Sequence, residues 1–264
     1  MDYSKGMEQE TRTYVREMLK IREDLGAPGI HPSHLSMTTI TSTFKINSLL
    51  DIQELKQKMK DTPFKIKKKG SSKPAYVWSV KDNKFFNQIT VEYVDKFSKK
   101  SIKFFPNGSI HVTGCSDIID CHRVMAQVEF CIFKFTGKKV KALDFKVLMI
   151  NANFSMNSML NLNTVSSKFE DHGCIVSFKP EIYSAVKIKF VPGPDMKRIT
   201  ASVFSSGCVL ITGAKTLSEI TASYKFMIDM LLQACIKPHA EPKKFESFIA
   251  ISFESWTKHI LAIK

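Results

Sequence analysis

The residues from Phe105 to Gly114 and those from Phe204 to Gly213 share one pattern, Phe-x-x-Gly-x-aliphatic-x-aliphatic-Thr-Gly, set 99 positions apart (204 − 105). Each copy reads as a turn feeding an alternating strand, with Gly where the turn requires a conformation that a Cβ resists. A second pair, Phe44-Lys-Ile-Asn47 and Phe154-Ser-Met-Asn157, lies 110 positions apart (154 − 44). The chain is therefore expected to fold as two similar halves. The two offsets differ by 11, so the first half carries extra sequence between its opening strand and its Thr-Gly strand.

At 264 residues the chain is long enough for two such halves to share one sheet. Its 39 Lys and Arg against 25 Asp and Glu leave a formal charge of +14, which suits a polyanionic partner. No apolar run reaches the ~20 residues of a membrane span, and Met1-Asp2-Tyr3-Ser4 opens no secretory signal. No membrane partner and an intracellular site are expected. The cysteines at 115, 121, 131, 174, 208 and 235 form no Cys-x-x-Cys pair and read as reduced packing thiols. Cys115, Cys121, His122 and His111 lack the spacing of a zinc knuckle, so no metal or other cofactor is expected. His31 and His34, beside a proline, read as solvated loop residues.

Met7, Thr11, Tyr14, Met18, Ile21 and Leu25 make one helical stripe that Gly26-Ala-Pro28-Gly29 ends. Leu35 to Asn47 turns extended and Thr-rich, and Leu50 to Met59 reads as a short helix. Lys65 to Lys73 reads as a charged loop that accounts for the extra length of the first half. Strand patterns then run through Ile89, Val91 and Tyr93 and from Ile102 to Val112. A helix follows with Cys121, Met125, Val128 and Ile132 on one stripe.

The second half repeats the order, with a strand from Leu143 to Phe154, a helix near Asn161 to Phe169 and strands over Val186 to Val191 and Arg198 to Ile211. Its last helix carries Leu217, Ile220, Tyr224, Met227 and Leu231, and Phe245 to Ile260 offers one more helical stripe. Both halves thus read strand, helix, antiparallel strands, long helix, an α+β plan in which helices cover one sheet face and leave the other open. The expected division is an extension over 1–34, a first half over 35–140, a second half over 141–236 and a terminal extension over 237–264.

At the repeated motif the sequence resembles the TATA-box-binding protein family, whose halves each carry Phe-x-x-Gly-Lys-x-x-x-Thr-Gly-Ala-Lys. Phe204 to Gly207 and Thr212-Gly213-Ala214-Lys215 match it, Asp144-Phe145-Lys146 matches the opening of the family's second half, and Phe178-Lys179-Pro180-Glu181-Ile182-Tyr183 is similar to its Tyr-Glu-Pro-Glu-Leu-Phe. The divergence and insertions resemble the versions carried by large DNA viruses. The resemblance implies a pseudo-twofold saddle: a curved antiparallel sheet, helices on its convex side, and a concave face that binds and bends promoter DNA through the minor groove. Family members of this kind serve as the standard illustration of minor-groove wedging.

Carried over by position, the resemblance makes Phe86 with Phe105 and Tyr183 with Phe204 the wedge pairs, with Phe85 an alternative to Phe86. Thr39, Thr41, Thr43, His111 and Thr113 become groove-facing in the first half. Met149, Asn151, Asn153, Leu210 and Thr212 do so in the second, and Lys215 becomes a phosphate contact. None of these positions is acidic, and small hydroxyl or apolar side chains suit a narrow groove lined with acceptors. Lys179, Glu181 and Ile182 fall where the family meets a TFIIB-like factor, so the implied partners are double-stranded promoter DNA, that factor and the RNA polymerase machinery. The implied place of action is the nucleus, or a cytoplasmic viral factory and the virion for a viral chain. The motif lysines are replaced by Ser109, Cys208 and Ser116, and the family's central asparagines by Thr39 and Met149.

Those losses make a protein-binding scaffold of the same fold the main alternative. An enzyme with a saddle-like accessory domain is the third reading. The sequence shows no paired-carboxylate cluster, phosphate-cradling loop or Ser/His/Asp constellation to support it, so no catalytic residue is assigned.

Overall fold

The computed structural model describes residues 30–61, 64–67, 74–81, 87–94 and 99–238, with 13, 14, 16–18, 20, 21, 24 and 85. Two compact units emerge, Met37–Met149 and Met1–Ser36 with Ile150–Lys264, called here the first and second unit.

In the first unit, alternation of apolar and polar residues sets the strands. Their order along the chain is β1 (Ser36–Ile46), α1 (Ile52–Asp61), β2 (Phe64–Lys67), β3 (Pro74–Lys81), β4 (Ile89–Val94), β5 (Lys99–Phe104), β6 (Ser109–Cys115) and α2 (Ile118–Thr136). The strands pair antiparallel in the order β2-β3-β4-β5-β6-β1. Ile40 and Phe44 of β1, Val91 and Tyr93 of β4, Ile102 and Phe104 of β5, and Ile110 and Val112 of β6 are buried. The same face receives Val124, Val128, Cys131 and Ile132 of α2 and Leu55 and Met59 of α1.

The unit boundary falls inside β7 (Ala142–Ser155). The second unit continues with β8 (Ser158–Leu160), α3 (Leu162–Asp171), β9 (Ile175–Lys179), β10 (Tyr183–Phe190), β11 (Ile199–Phe204), β12 (Cys208–Ala214), α4 (Leu217–Leu231), a 3₁₀ turn (Leu232–Ala234) and β13 (Cys235–Pro238). Its sheet runs β7-β12-β11-β10-β9, and β13 pairs separately with β8. The α4 stripe of Leu217, Ile220, Tyr224, Met227 and Leu231 is buried, as the sequence pattern requires.

The duplication extends to individual hydrogen bonds. Gly108 N–H donates to the Phe105 carbonyl at 3.0 Å and Gly207 N–H to that of Phe204 at 2.9 Å. The Gly108 and Gly207 carbonyls in turn accept from Ile46 and Met156 N–H. Both glycines sit at positive φ, +77° and +81°. A Cβ would stand 2.6 Å from the Ser48 carbonyl oxygen in one unit and 2.2 Å from that of Ser158 in the other, so the sequence requires Gly twice for the same reason. Helix starts repeat as well. Asp51 accepts from Glu54 N–H and Asn161 from Thr164 N–H, while Asp117 accepts from Asp120 N–H and Thr216 from Glu219 N–H.

The extra length of the first half is not simply a loop. Phe64–Lys67 forms β2, an added strand on β3, so the edge position that β9 holds in the second unit is held in the first by β3 with β2 beyond it. A four-residue strand carries almost no local signal, which is why periodicity missed β2, and its eight-residue partner β3 was passed over as well. Lys68 to Lys73 lie outside the described residues, as do Met7, Thr11, Leu25 and the stripe from Phe245 to Ile260. Tyr14, Met18 and Ile21 are buried in the second unit, so that helical stripe packs on its own unit.

His34, expected in solvent, is buried. The strap that holds it is tied down by Ser33, whose N–H donates to the Ser155 carbonyl at 2.7 Å and whose carbonyl accepts from Tyr224 Oη at 2.7 Å.

One polar group departs from the duplication. Lys100 of β5 points into the core, its Nζ 3.2 Å from Asp120 Oδ2 with both side chains buried, and Arg123 also bonds to Asp120. The corresponding residues of the second unit are Ile199 and Glu219, and the Glu219 carboxylate accepts from the backbone N–H groups of Lys215 and Thr216, closing the capping box of α4. Both helix starts are capped, and the first unit adds a buried charge pair where the second has apolar packing.

Candidate nucleic-acid interface

Strand residues that alternate with the core side chains build an open face on each unit. In the first unit, Thr43 of β1 stands opposite His111 of β6, His111 opposite Lys103 of β5, Lys103 opposite Thr90 of β4, and Thr90 opposite Lys81 of β3. The adjacent row is Thr41, Thr113, Ser101, Glu92 and Ser79. Thr41 and Thr113 hydroxyls lie 3.4 Å apart, and Thr43 Oγ1 donates to the Ile110 carbonyl at 2.9 Å. Thr39 continues the same alternation, half-buried beside buried Ile40.

The second unit presents Asn153, Leu210, Ser202, Lys187 and Ser177 in one row, and Thr212, Thr200, Lys189 and Ile175 in the next. Asn151 alternates with Ile150 and Ala152 on β7, and Met149 precedes them at the unit boundary. Thr212 Oγ1 donates to the Thr200 carbonyl at 3.3 Å. The groove-facing assignments therefore fall on the open faces as the alternation of each strand dictates.

The strand register adds residues that the sequence reading passed over: Lys103, Lys81 and Glu92 in the first unit, and Lys187 and Lys189 in the second. The Lys187-x-Lys189 alternation against Val186, Ile188 and Phe190 was the available signal. Glu92 is an acid on an otherwise hydroxyl and cationic face. Lys81 Nζ and Lys99 Nζ each lie 2.7 Å from its Oε2, and hydrogen bonds from these two ammonium groups hold its carboxyl below the usual carboxylate range.

Aromatic residues stand where each repeated turn begins. Tyr183, 37% exposed, meets Phe204 edge-on with ring centroids 5.9 Å apart. Lys187 Nζ sits 4.5 Å from the centroid of the Tyr183 ring. In the first unit, Phe105 packs on His111 at 4.9 Å between centroids. Phe86 lies outside the described residues, whereas its alternative Phe85 is 68% exposed.

The β9–β10 turn presents Lys179, Glu181 and Ile182 outward, with Ile182 77% exposed and its N–H donating to the Lys179 carbonyl at 3.0 Å. Lys215 is also exposed, while its N–H donates to Glu219 Oε2 at 2.6 Å.

Cys115 and Cys121 are buried against one another, and their hydrogen bond and burial push the Cys115 thiol up. The His122 ring packs on Phe145 at 4.4 Å, and burial lowers its basicity. Among the described residues no three metal-donor side chains gather.

Residues 144–234 match the family model described as transcription factor TFIID, or TATA-binding protein. A TATA-box-binding protein-like chain of Acanthamoeba polyphaga mimivirus is 24% identical over 76% of this chain and 66% of its own length. The African swine fever virus protein pB263R, whose name reads "Putative TATA-binding protein", is 30% identical over 54% of this chain and 59% of its own. This chain therefore spans two thirds or less of these relatives. Among solved structures, the TBP of Methanococcus jannaschii superposes with a TM-score of 0.53 at 16% identity, covering 75% of this chain and 98% of that one, which establishes a common α+β fold. The family model identifies residues 144–234 as a TATA-binding protein region, and the viral relatives and the fold liken the chain as a whole to the divergent TBP-like proteins of large DNA viruses.

Proposed function

We propose that this chain is a non-enzymatic transcription initiation factor that lays its open faces in the minor groove of promoter DNA, bends it, and recruits a TFIIB-like factor and an RNA polymerase. The observation that carries this reading is the composition of the two open faces. Thr, Ser, Asn and short aliphatic side chains line the strands nearest β1 and β7, lysines stand on the outer strands, and the one acid in the rows, Glu92, is bridged by two lysines. Small hydroxyl and amide groups fit a narrow groove of acceptors, and flanking cations meet phosphate.

The aromatic pair at the turn of the second unit supplies the wedge. Tyr183 at the start of β10 and Phe204 at the end of β11 stand together, with Tyr183 exposed, which supports their role as the rings that enter a base step. Phe105 takes the matching place in the first unit, with Phe86 as its partner by the position carried over from the resemblance.

The replacement of three motif lysines by Ser109, Cys208 and Ser116 supports the second reading, a scaffold that kept the fold and lost DNA binding. Titration of a fluorophore-paired promoter duplex at two salt concentrations separates the two. Salt-sensitive binding with shortened end-to-end distance supports the initiation factor, and absence of binding at low salt refutes it.

A further inference from the structure

The two units dress their aromatic turns differently. On the second unit Lys187 stands two positions beyond Ala185, whose register partner on β11 is Phe204, and the Lys187 ammonium reaches back over the Tyr183 ring to 4.5 Å from its centroid. Ala185, between Tyr183 and Lys187 on the open face, is buried. In the first unit the position matching Lys187 in the strand register is Thr90, which has no cation to offer, and Phe105 stacks on His111.

A cation over a ring face is attracted by the ring quadrupole, most strongly within about 6 Å of the centroid. The Tyr183 ring is thus held on two sides, by Phe204 at its edge and Lys187 at its face. An otherwise exposed aromatic side chain must surrender rotamer freedom to enter a base step, and a ring already fixed surrenders less.

We propose that Lys187 is a positioning residue that sets Tyr183 against Phe204 before DNA arrives, so that the second unit carries a preorganised wedge. The inference rests on the proposed minor-groove function. It goes beyond it in assigning to one lysine an orienting role on an aromatic side chain, separate from any contact with phosphate.

The test is a double-mutant cycle on the full chain, combining Lys187→Met and Tyr183→Leu, with Lys187→Arg as the conservative variant. Two readouts are taken: duplex affinity with bend by energy transfer, and the ¹⁹F resonance of 3-fluorotyrosine placed at 183 in the free protein. Lys187→Met is expected to weaken duplex binding by about two- to five-fold, the range of an exposed cation–π contact. Lys187→Arg restores it, and Lys187→Met has no such effect on the orientation-dependent part once Tyr183 is Leu. The free-protein resonance moves with Met and not with Arg.

Additive losses in the cycle, with an unmoved resonance, would make Lys187 a phosphate contact only and overturn the proposal. Should the parent chain bind no duplex, the proposed function falls, and the resonance alone still decides whether Lys187 orients Tyr183.

Discussion

Val203 and Phe204 are neighbours on β11 that face opposite ways, so truncating each separates folding from DNA binding. Val203 is fully buried on the core side, and Val203→Ala removes two methylene equivalents at ~0.8 kcal/mol each plus a residual cavity. The expected loss is about 2–3 kcal/mol of stability, a fall in melting temperature of roughly 4–12 °C for a chain of this size. Phe204 is half-buried on the open side, where its main contact is the Tyr183 ring. Phe204→Ala should cost the fold only about 1–2 kcal/mol, from partial burial and the aromatic pair. In DNA binding the ranking reverses. Loss of one stacking ring is worth about 1–3 kcal/mol, about five- to 150-fold in affinity, and the bend at that end should relax. Thermal melts give the first quantity, and end-to-end energy transfer on a labelled duplex gives the second, measured well below either melting point. Val203→Ala should bind within about two-fold of the parent under those conditions. Equal losses of DNA affinity in the two variants, or parental bending by Phe204→Ala, would show that the ring on the open face is only a packing residue. The same comparison in the first unit uses Phe105→Ala beside the buried Phe104.

Lys100→Met strands the buried Asp120 carboxylate with Arg123 as its remaining cation, and chemical denaturation should show a loss of about 3 kcal/mol, against about 0.5 kcal/mol or less for removing the exposed Lys58–Glu54 pair. Gly207→Ala forces a Cβ to within 2.2 Å of the Ser158 carbonyl at a positive φ, so the variant should lose more than ~2 kcal/mol or fail to accumulate in soluble form, whereas Gly173→Ala, with open space around it, should suffer only the strain of its positive φ. Replacing Lys103 and Lys189 by Ala should flatten the log–log salt dependence of duplex binding by up to about 1.8, at ~0.9 per phosphate contact, and an unchanged slope would place both outside the DNA path. Lys179 reverses the first acidic residue of the family's partner-binding turn, so pull-down on a promoter duplex should show that Lys179→Glu gains a standard cellular TFIIB-like factor that the parent recruits poorly. Equal recruitment by both would remove that charge from the partnership.

Local sequence was sufficient wherever one short segment carries its own physical constraint. The two Phe-x-x-Gly turns announce themselves because only Gly tolerates the positive φ and the close carbonyl behind it. The α4 stripe, the α2 stripe apart from Met125, which is half-buried while Val124 takes the buried place, and the Thr39-Thr41-Thr43 alternation follow from periods of 3.6 and 2. The family model matches only residues 144–234, the half in which the Thr-Gly-Ala-Lys motif survives without the added strand.

Tertiary structure decided what depends on register between distant strands. Nothing near Phe64 says that it will pair with Trp78 and extend the sheet by a strand, and nothing near Lys100 says that its charge will be buried against Asp120. Glu92 looks like an ordinary strand acid until β3 and β5 bring Lys81 and Lys99 to its carboxylate. Lys187 looks like one more cation until the turn of β10 folds its ammonium over Tyr183. Backbone conformation and the inward face are set by neighbours in sequence, whereas electrostatic partners are set by neighbours in space, and a strand acquires those only when the sheet has formed.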